Sequence, residues 1–223
     1  MVREGTTVEV QWLKAGYSEP TYAWTESYNA VEGVKRYYEA WKTGYDGVVI
    51  GCMLDPGLVE ARSLIDIPVS GALQSSLLIA NCLGNKYSVI TIHRAIAALQ
   101  TDKIKRYGLA EKLASIRHTD IRPMEIAALY AKPASLIEMF SELAVKAVRE
   151  DGAEVIIPGC TCLSTFLTAQ NVYEIEKAPI IDPVWAGIKM AEVLVDLKKS
   201  YGVVVSRAGI YSAPIQWEKE MPI

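Results

Sequence analysis

Hydrophobic and polar positions alternate along this chain in two different ways. Short apolar runs rich in Val and Ile are separated by longer segments in which apolar residues recur at helical spacing. The short runs are typical of strands buried on both faces, and the longer segments are typical of amphipathic helices. Their alternation predicts an α/β fold built around parallel sheets.

The two patterns also predict where the individual elements lie. Strands are predicted at Thr7–Leu13, Gly47–Gly51, Pro68–Ser70, Tyr87–Ile92, Val155–Pro158 and Pro179–Ile181, with a further strand within 110–121. Helices are predicted at Ala30–Thr43, Gly57–Ile65, Leu73–Leu83, Arg94–Tyr107, Ser135–Glu150, Leu163–Ile175 and Trp185–Tyr201. Gly202 is placed to end the last helix.

One stretch of the pattern occurs twice. The chain reads GVVIGC at 47–52 and VIIPGC at 155–160, and each copy continues into a helix and then a strand led by proline. Similarity among parallel strands would explain the Val and Ile runs but not a Gly-Cys at the same place in both. The repeat therefore predicts two pseudo-symmetric lobes, the first formed by 1–85 and 186–223 and the second by 86–185.

The repeated cysteines, Cys52 and Cys160, are predicted to lie at the carboxyl ends of strands, immediately before a helix. Ligands of open parallel sheets bind at this edge. Free N–H groups at a helix start stabilise an anion, so a thiol there can fall from a pKa of ~8.5 toward neutrality. Two such thiols on opposite faces of a carbon beside a carbonyl could remove a proton from one face and return one to the other.

The composition bears on the size of the core, on possible partners and on localisation. The 223 residues are 51% hydrophobic, which is enough for a substantial core, and the net charge of −3 comes from 23 basic and 26 acidic residues without a basic block. We therefore expect no nucleic-acid partner. No apolar run reaches the ~20 residues of a membrane helix and the N-terminus lacks the apolar core of a signal peptide, so a cytoplasmic protein without membrane contact is expected.

The cysteines and histidines could also serve in packing, metal binding, helix capping or proteolysis. Cys82 is expected to pack inside an apolar helix. Cys160 and Cys162 form C-x-C, but a metal site would need further ligands and the chain has only two histidines. His93 could face the cleft or cap a helix, and His118 reads as surface. A Cys-His protease would leave the second Gly-Cys unexplained, and no motif for an organic cofactor is present, so we expect neither metal nor cofactor.

Several motifs around the cysteines resemble those of the aspartate/glutamate racemase superfamily, and more closely its hydantoin racemase branch. The matching segments are DGVVIGCMLDPGL, IDIPVSG and NKYSVIT in the first half, and DGAEVIIPGCTCLS, APIIDPVWAGIKMAEVLVDL and SRAGIY in the second. The resemblance implies flavodoxin-like lobes with the active site in the cleft between them. It also implies a cofactor-independent racemase or epimerase, an isomerase that acts on a small molecule such as a 5-substituted hydantoin or allantoin.

The resemblance assigns roles to individual residues. Cys52 and Cys160 would be the acid and base, and Asp55 would cap its own helix with Pro56 in the first turn. Substrate would be held by the backbone amides of the residues after each cysteine and by side chains along the cleft, namely Met53, Leu54, Thr161, Cys162, Thr91, Ile92 and Gln74. Tyr17 and Tyr22 are further candidates for the pocket wall.

The chain departs from the family pattern at its start. Family members open with a central strand that ends in an asparagine-bearing loop, whereas this chain begins at what resembles the second strand. Either the true start lies upstream or Thr7–Leu13 moves inward to fill the gap. A homo-oligomer is expected because subunit association would cover an exposed sheet. The alternatives are an Asp/Glu-type racemase, a maleate-type cis-trans isomerase, and a non-catalytic remnant or binding subunit.

Overall fold

A computed structural model describes residues 2–129 and 132–212, and it shows helices alternating with short strands. The α-helices are α1 Ala23–Lys42, α2 Leu58–Leu64, α3 Ala72–Leu83, α4 Arg94–Arg106, α5 Pro123–Leu129, α6 Pro133–Asp151, α7 Thr161–Ala169 and α8 Pro183–Tyr201. The strands are β1 Val48–Ile50, β2 Val69–Gly71, β3 Tyr87–Thr91, β4 Leu113–His118, β5 Val155–Pro158, β6 Glu174–Ile175 and β7 Ala178–Pro179.

Two parallel sheets carry the two repeated segments. In the first sheet β1 pairs with β2, and in the second β3 lies between β4 and β5. A parallel bridge from Ile156 to Ile180 adds one more position beside β5. Each Gly-Cys thus follows a strand that runs parallel to its neighbour, β1 in one sheet and β5 in the other. The predicted α/β fold with parallel sheets is confirmed.

The strands are buried because helices cover them. Every residue of β3 and β5 is buried, which explains why apolar residues dominate these strands instead of alternating with polar ones. Helix α8 packs on α3 and on both strands of the first sheet, as expected of a C-terminal helix that returns to the first lobe. The lobe boundaries stay a prediction, and 1, 130–131 and 213–223 lie outside the described residues.

The predicted strand Thr7–Leu13 is wrong. This segment has no regular secondary structure and pairs with no strand among the described residues. Its apolar side chains Val8, Val10 and Trp12 are exposed, with Trp12 at 80%. Its polar side chains are exposed as well, and Gln11 and Glu9 bond the hydroxyl of Tyr45 at the surface. Alternation of apolar and polar residues therefore does not make a strand here, because no neighbouring strand pairs with the segment.

Other differences concern element boundaries. Helix α1 begins at Ala23, seven residues before the predicted start. Helix α7 ends at Ala169 rather than Ile175, because the chain turns through a positive φ of 58° at Asn171. Only Ile180 of the predicted strand Pro179–Ile181 extends the second sheet, and α5 was not predicted. The strand within 110–121 is confirmed as β4, and Gly202 ends α8 with φ 68° as predicted.

A search of the described helices for a membrane span found none that combines the necessary length with sufficient apolarity.

Candidate active site

Cys160 lies where the sequence predicts, at the N-cap of α7 directly after β5. The backbone N–H groups of Leu163 and Cys162 point at its sulfur, and both favour the thiolate. The preceding residue must be glycine, since a Cβ on Gly159 would lie 2.6 Å from Cβ of Thr91. This close approach to β3 fixes the backbone from which the thiol projects.

Cys52 follows β1 but does not directly precede a helix, so the prediction is wrong on this point. A turn separates it from α2, which begins six residues later at Leu58 with Gly57 as the N-cap. Within the turn the N–H of Asp55 bonds the carbonyl of Cys52 at 3.0 Å, and the N–H of Leu54 bonds the thiol. The anion-holding amide near Cys52 therefore comes from a turn rather than from a helix start.

Asp55 explains why this turn differs from the second copy. Its backbone has a φ of 44°, and its buried carboxylate accepts the N–H groups of Leu73 and Gln74 at 2.9 and 2.8 Å. It also accepts the hydroxyl of Tyr107 at 2.8 Å. Asp55 thus caps α3 and not its own helix, which corrects the prediction. Through Asp55 the Cys52 turn is attached to the start of α3 and the end of α4.

The electrostatic prediction for the thiols is also corrected. Burial raises the pKa of Cys52 to about 11, and the Leu54 N–H offsets this only in part. The pKa of Cys160 is raised well above its ordinary value by the hydrogen bond with Cys162 and by burial, against the two N–H groups. At Cys52 desolvation of the charged form outweighs the backbone donor, and at Cys160 the hydrogen bond with Cys162 and desolvation together outweigh the two donors. Both thiols are therefore protonated in most molecules at neutral pH.

Charged and phenolic groups that the sequence analysis did not single out surround Cys52. Lys103 forms a half-buried ion pair with Glu26 at 3.0 Å, and these two groups lower and raise the pKa of Cys52 respectively. The hydroxyl of Tyr37 bonds the carbonyl of Pro56 at 3.2 Å. Because these partners are distant in sequence, only the fold brings them to the thiol.

The two cysteine loops meet in the structure. Thr161, which follows Cys160, donates its hydroxyl to the carbonyl of Gly51 at 3.2 Å. Gln100 of α4 reaches the carbonyls of Met53 and Gly159 with one amide nitrogen. The structure therefore brings the two halves of the repeat together, as the racemase resemblance requires. The sequence contained one indication of this role. Gln100 is polar but lies on the same face of α4 as the buried residues Ile96 and Ile104.

The apolar residues predicted to line the cleft are mostly core residues. Met53, Leu54 and Ile92 are each at most 3% exposed, and Met53 packs in a core cluster with side chains of α3 and β3. Thr91 is fully buried and donates its hydroxyl to the carbonyl of Gly159 at 3.2 Å. These residues therefore lie in the core beneath the two loops, where they contact the loops through packing and backbone hydrogen bonds.

The remaining polar candidates bond or pack against residues other than the two cysteines. Gln74 accepts a hydrogen bond from Arg62 at 2.8 Å, next to the α3 cap. Tyr17 packs edge-on against Trp24 with ring centroids 4.7 Å apart. Tyr22 is exposed at the N-cap of α1. No direct contact of these side chains with Cys52 or Cys160 is recorded among the described residues.

The other cysteines and histidines have modest roles. All four cysteines are free, and Cys82 is exposed on α3, so the predicted burial of Cys82 is wrong because it lies on the outer face of that helix. His93 caps α4 by accepting the Ala95 N–H at 3.2 Å. His118 is half-buried in β4, with its Nδ1 3.1 Å from Asp120. Within 2–129 and 132–212 no three His, Cys, Asp or Glu side chains group as metal ligands would.

Comparison with known proteins agrees with this geometry. Residues 17–191 match the family model described as Asp/Glu/Hydantoin racemase. The hydantoin racemase of Pseudomonas sp. (strain NS671) is 35% identical over 175 residues, which cover 78% of this chain and 68% of that protein. Among solved structures, allantoin racemase from Klebsiella pneumoniae has a TM-score of 0.81 at 27% identity, covering 94% of this chain and 84% of that one.

Allantoin racemase from Pseudomonas fluorescens has a TM-score of 0.80 at 25% identity and covers 95% of this chain and 86% of that one. With the family model spanning most of the chain, the predicted enzyme class is confirmed as an isomerase that racemises its substrate. The chain belongs to the Asp/Glu/hydantoin racemase family.

Proposed function

We propose that this enzyme racemises a 5-substituted hydantoin or allantoin, with Cys52 and Cys160 as acid and base and without a cofactor. The observation that carries the proposal is the meeting of the two Gly-Cys loops through Thr161 and Gly51. The known hydantoin and allantoin racemases similar to this chain support the substrate class, because both substrates share a ring carbon that carries one hydrogen beside a carbonyl.

In the proposed reaction the thiolate of one cysteine removes the proton from this carbon. The C–H bond breaks, its electron pair is delocalised onto the carbonyl oxygen as an enolate, and a new S–H bond forms. Proton delivery from the thiol on the opposite face then forms the inverted C–H bond and leaves that sulfur as thiolate. The N–H groups of Leu54, Cys162 and Leu163 stabilise the sulfur anion in each state.

The raised thiol pKa values suit this chemistry. A carbon acid beside a carbonyl is weak, so a strongly basic thiolate removes its proton more readily than a weakly basic one. The accompanying disadvantage is a small thiolate population at neutral pH. Burial thus makes each thiolate more basic but lowers the fraction of molecules that carry it. At the Cys52 site Lys103 lowers the thiol pKa and so raises that fraction in part.

The test is racemisation in deuterated water with single enantiomers of a hydantoin panel, allantoin, aspartate and glutamate. Optical rotation follows inversion, and NMR follows replacement of the ring proton by deuterium, with enzyme-free samples measuring spontaneous exchange. We expect turnover of hydantoins or allantoin with solvent deuterium on the inverted carbon. Turnover of aspartate or glutamate alone would reject the substrate class.

Single Cys→Ser variants test the roles of the two thiols. Cys52→Ser and Cys160→Ser should each abolish racemisation, while the remaining thiol still exchanges the proton that it faces. Cys82→Ser is the matched control, since this thiol is exposed on α3, and it should retain full activity. Full racemisation by Cys52→Ser or by Cys160→Ser would reject the two-cysteine mechanism.

A further inference from the structure

The side chain of Gln100 joins the two cysteine loops. It lies in the middle of α4 and is fully buried. Its Nε2 donates to the carbonyl of Met53 at 3.2 Å and to the carbonyl of Gly159 at 2.7 Å. Met53 directly follows one candidate catalytic cysteine and Gly159 directly precedes the other. One amide group therefore bonds both loops at positions adjacent to the reactive sulfurs.

The orientation of this amide is set by the loops. Both partners are carbonyl oxygens, so only the NH2 group can face them. The Oε1 of the same amide is buried and has no hydrogen-bond partner among the described residues. An unpartnered buried acceptor is unfavourable. The side chain thus keeps both donors on the cysteine loops even though its acceptor is left unsatisfied.

Helix α4 is a firm base for this contact. His93 caps its N-terminus, Lys103 pairs with Glu26, and Tyr107 at its C-terminal end bonds Asp55. The Gly159 carbonyl receives a second bond from Thr91 of β3. Because α4 is held at both ends, Gln100 can hold the two loops at a fixed distance from each other.

We propose that Gln100 is a positioning residue that sets the spacing between the Cys52 and Cys160 loops. The proposal rests on the two-cysteine racemisation proposed above, because inversion by two groups needs both sulfurs placed on the same carbon at once. A misplacement on the order of 1 Å can lower such a reaction about a hundredfold. Exchange at a single face needs only one sulfur and is less sensitive to the separation.

The first test measures the position of the loops without using activity. The rates at which iodoacetamide alkylates Cys52 and Cys160 are followed by mass spectrometry in the wild type, in Gln100→Met and in Thr101→Val. Methionine keeps the length of the side chain and removes both donors. Thr101 is the control because its hydroxyl bonds only within α4, to Ala97 at 2.8 Å.

We expect alkylation of both thiols to be faster in Gln100→Met by on the order of tenfold, the loss of two modest hydrogen bonds, and unchanged in Thr101→Val. Faster alkylation of one thiol only, or of neither, would overturn the proposal. Gln100→Leu also removes both donors and introduces no charge, so it serves as a second variant with the same expected result if Gln100→Met fails to fold.

The second test uses the ratio of proton exchange to racemisation in deuterated water. Gln100→Met should lower kcat/KM for racemisation about a hundredfold while exchange without inversion is retained, so the ratio rises. A parallel fall of both rates would indicate a general structural defect and would overturn the positioning role. If the wild type racemised no substrate, the proposed function would fail, and the alkylation rates would still decide whether Gln100 holds both loops.

Discussion

Gly159 offers the sharpest test of how the second cysteine is held. A methyl group added by Gly159→Ala would lie 2.6 Å from Cβ and 2.8 Å from Oγ1 of Thr91, and 2.9 Å from Cγ1 of Val89. All three contacts are shorter than van der Waals separation allows. Thr91 and Val89 are fully buried in the central strand β3, where Val89 pairs with both neighbouring strands and Thr91 pairs with His118 of β4, so neither moves aside easily.

The expected cost follows from these contacts. Overpacking of a buried site costs about 1–3 kcal/mol, and displacing the Gly159 carbonyl removes the Thr91 hydrogen bond, worth about 0.5–1.5 kcal/mol. We expect Gly159→Ala to lower the free energy of unfolding by roughly 2–4 kcal/mol, a large part of the ~5–15 kcal/mol typical of a domain. Racemisation should fall as well, because the strain displaces the backbone of Cys160.

The repeat itself supplies the control. Gly51 precedes Cys52 as Gly159 precedes Cys160, but a Cβ on Gly51 would meet no atom within 4 Å. Gly51 is exposed, and its φ is outside the positive region that L residues rarely adopt. Gly51→Ala should therefore change stability by no more than about 1 kcal/mol, with a stabilising effect from the less flexible unfolded chain.

Urea unfolding of both variants and the wild type, followed by circular dichroism, measures these free energies. The slope of each transition shows whether the unfolded states are comparable. If Gly159→Ala were as stable as the wild type, the close packing of the Cys160 loop on β3 would be wrong. An equal loss of stability in both variants would contradict the difference between the two glycines, because Gly51 has room for a methyl group.

Two further predictions concern pH. Because burial raises the pKa of Cys52 to about 11, kcat/KM should rise about tenfold per pH unit from pH 7 to 9, after subtraction of spontaneous racemisation; a flat profile would show that the thiol ionises at lower pH. Burial also raises the pKa of Asp55 to about 6 from 3.8, so its protonation favours the folded chain. The stability difference between wild type and Asp55→Asn should therefore shift by about 1.4 kcal/mol in favour of the wild type from pH 8 to pH 5, and the same difference at both values would contradict the raised pKa.

The sequence predicted well those elements whose local pattern of apolar residues indicates that they are buried. The strands β3 and β5 are buried at every position, are dominated by apolar residues and were predicted within one residue. The repeated Gly-Cys also predicted which two thiols the fold brings to adjacent loops. Thr7–Leu13 has an equally regular pattern, but pairing depends on a neighbouring strand, and a local pattern carries no information about that neighbour.

The contacts that the sequence analysis missed act over long sequence separations. Asp55 begins an Asp-Pro-Gly turn and is predicted to cap its own helix, yet its carboxylate bonds N–H groups 18 and 19 residues further on. Gln100 bonds carbonyls 47 and 59 residues away. The raised pKa of Cys52 arises in the same way, because desolvation comes from the folded surroundings and a helix-start argument includes only the nearest amides. At Cys160 the first cause is local, the hydrogen bond with Cys162, and burial adds to it.

The two thiols have different surroundings even though the chain repeats itself. Asp55, Glu26 and Lys103 act on Cys52, whereas Cys160 interacts with its neighbour Cys162. In the proposed mechanism one enantiomer requires the thiolate on Cys52 and the other requires it on Cys160. Since two enantiomers have equal free energy in solution, the ratio of kcat to KM must be the same for both. Because of the unequal surroundings, kcat can differ between the two enantiomers, but KM must then differ by the same factor. Asymmetry between the lobes therefore changes the substrate concentration at which the enzyme saturates and leaves kcat/KM equal for the two enantiomers.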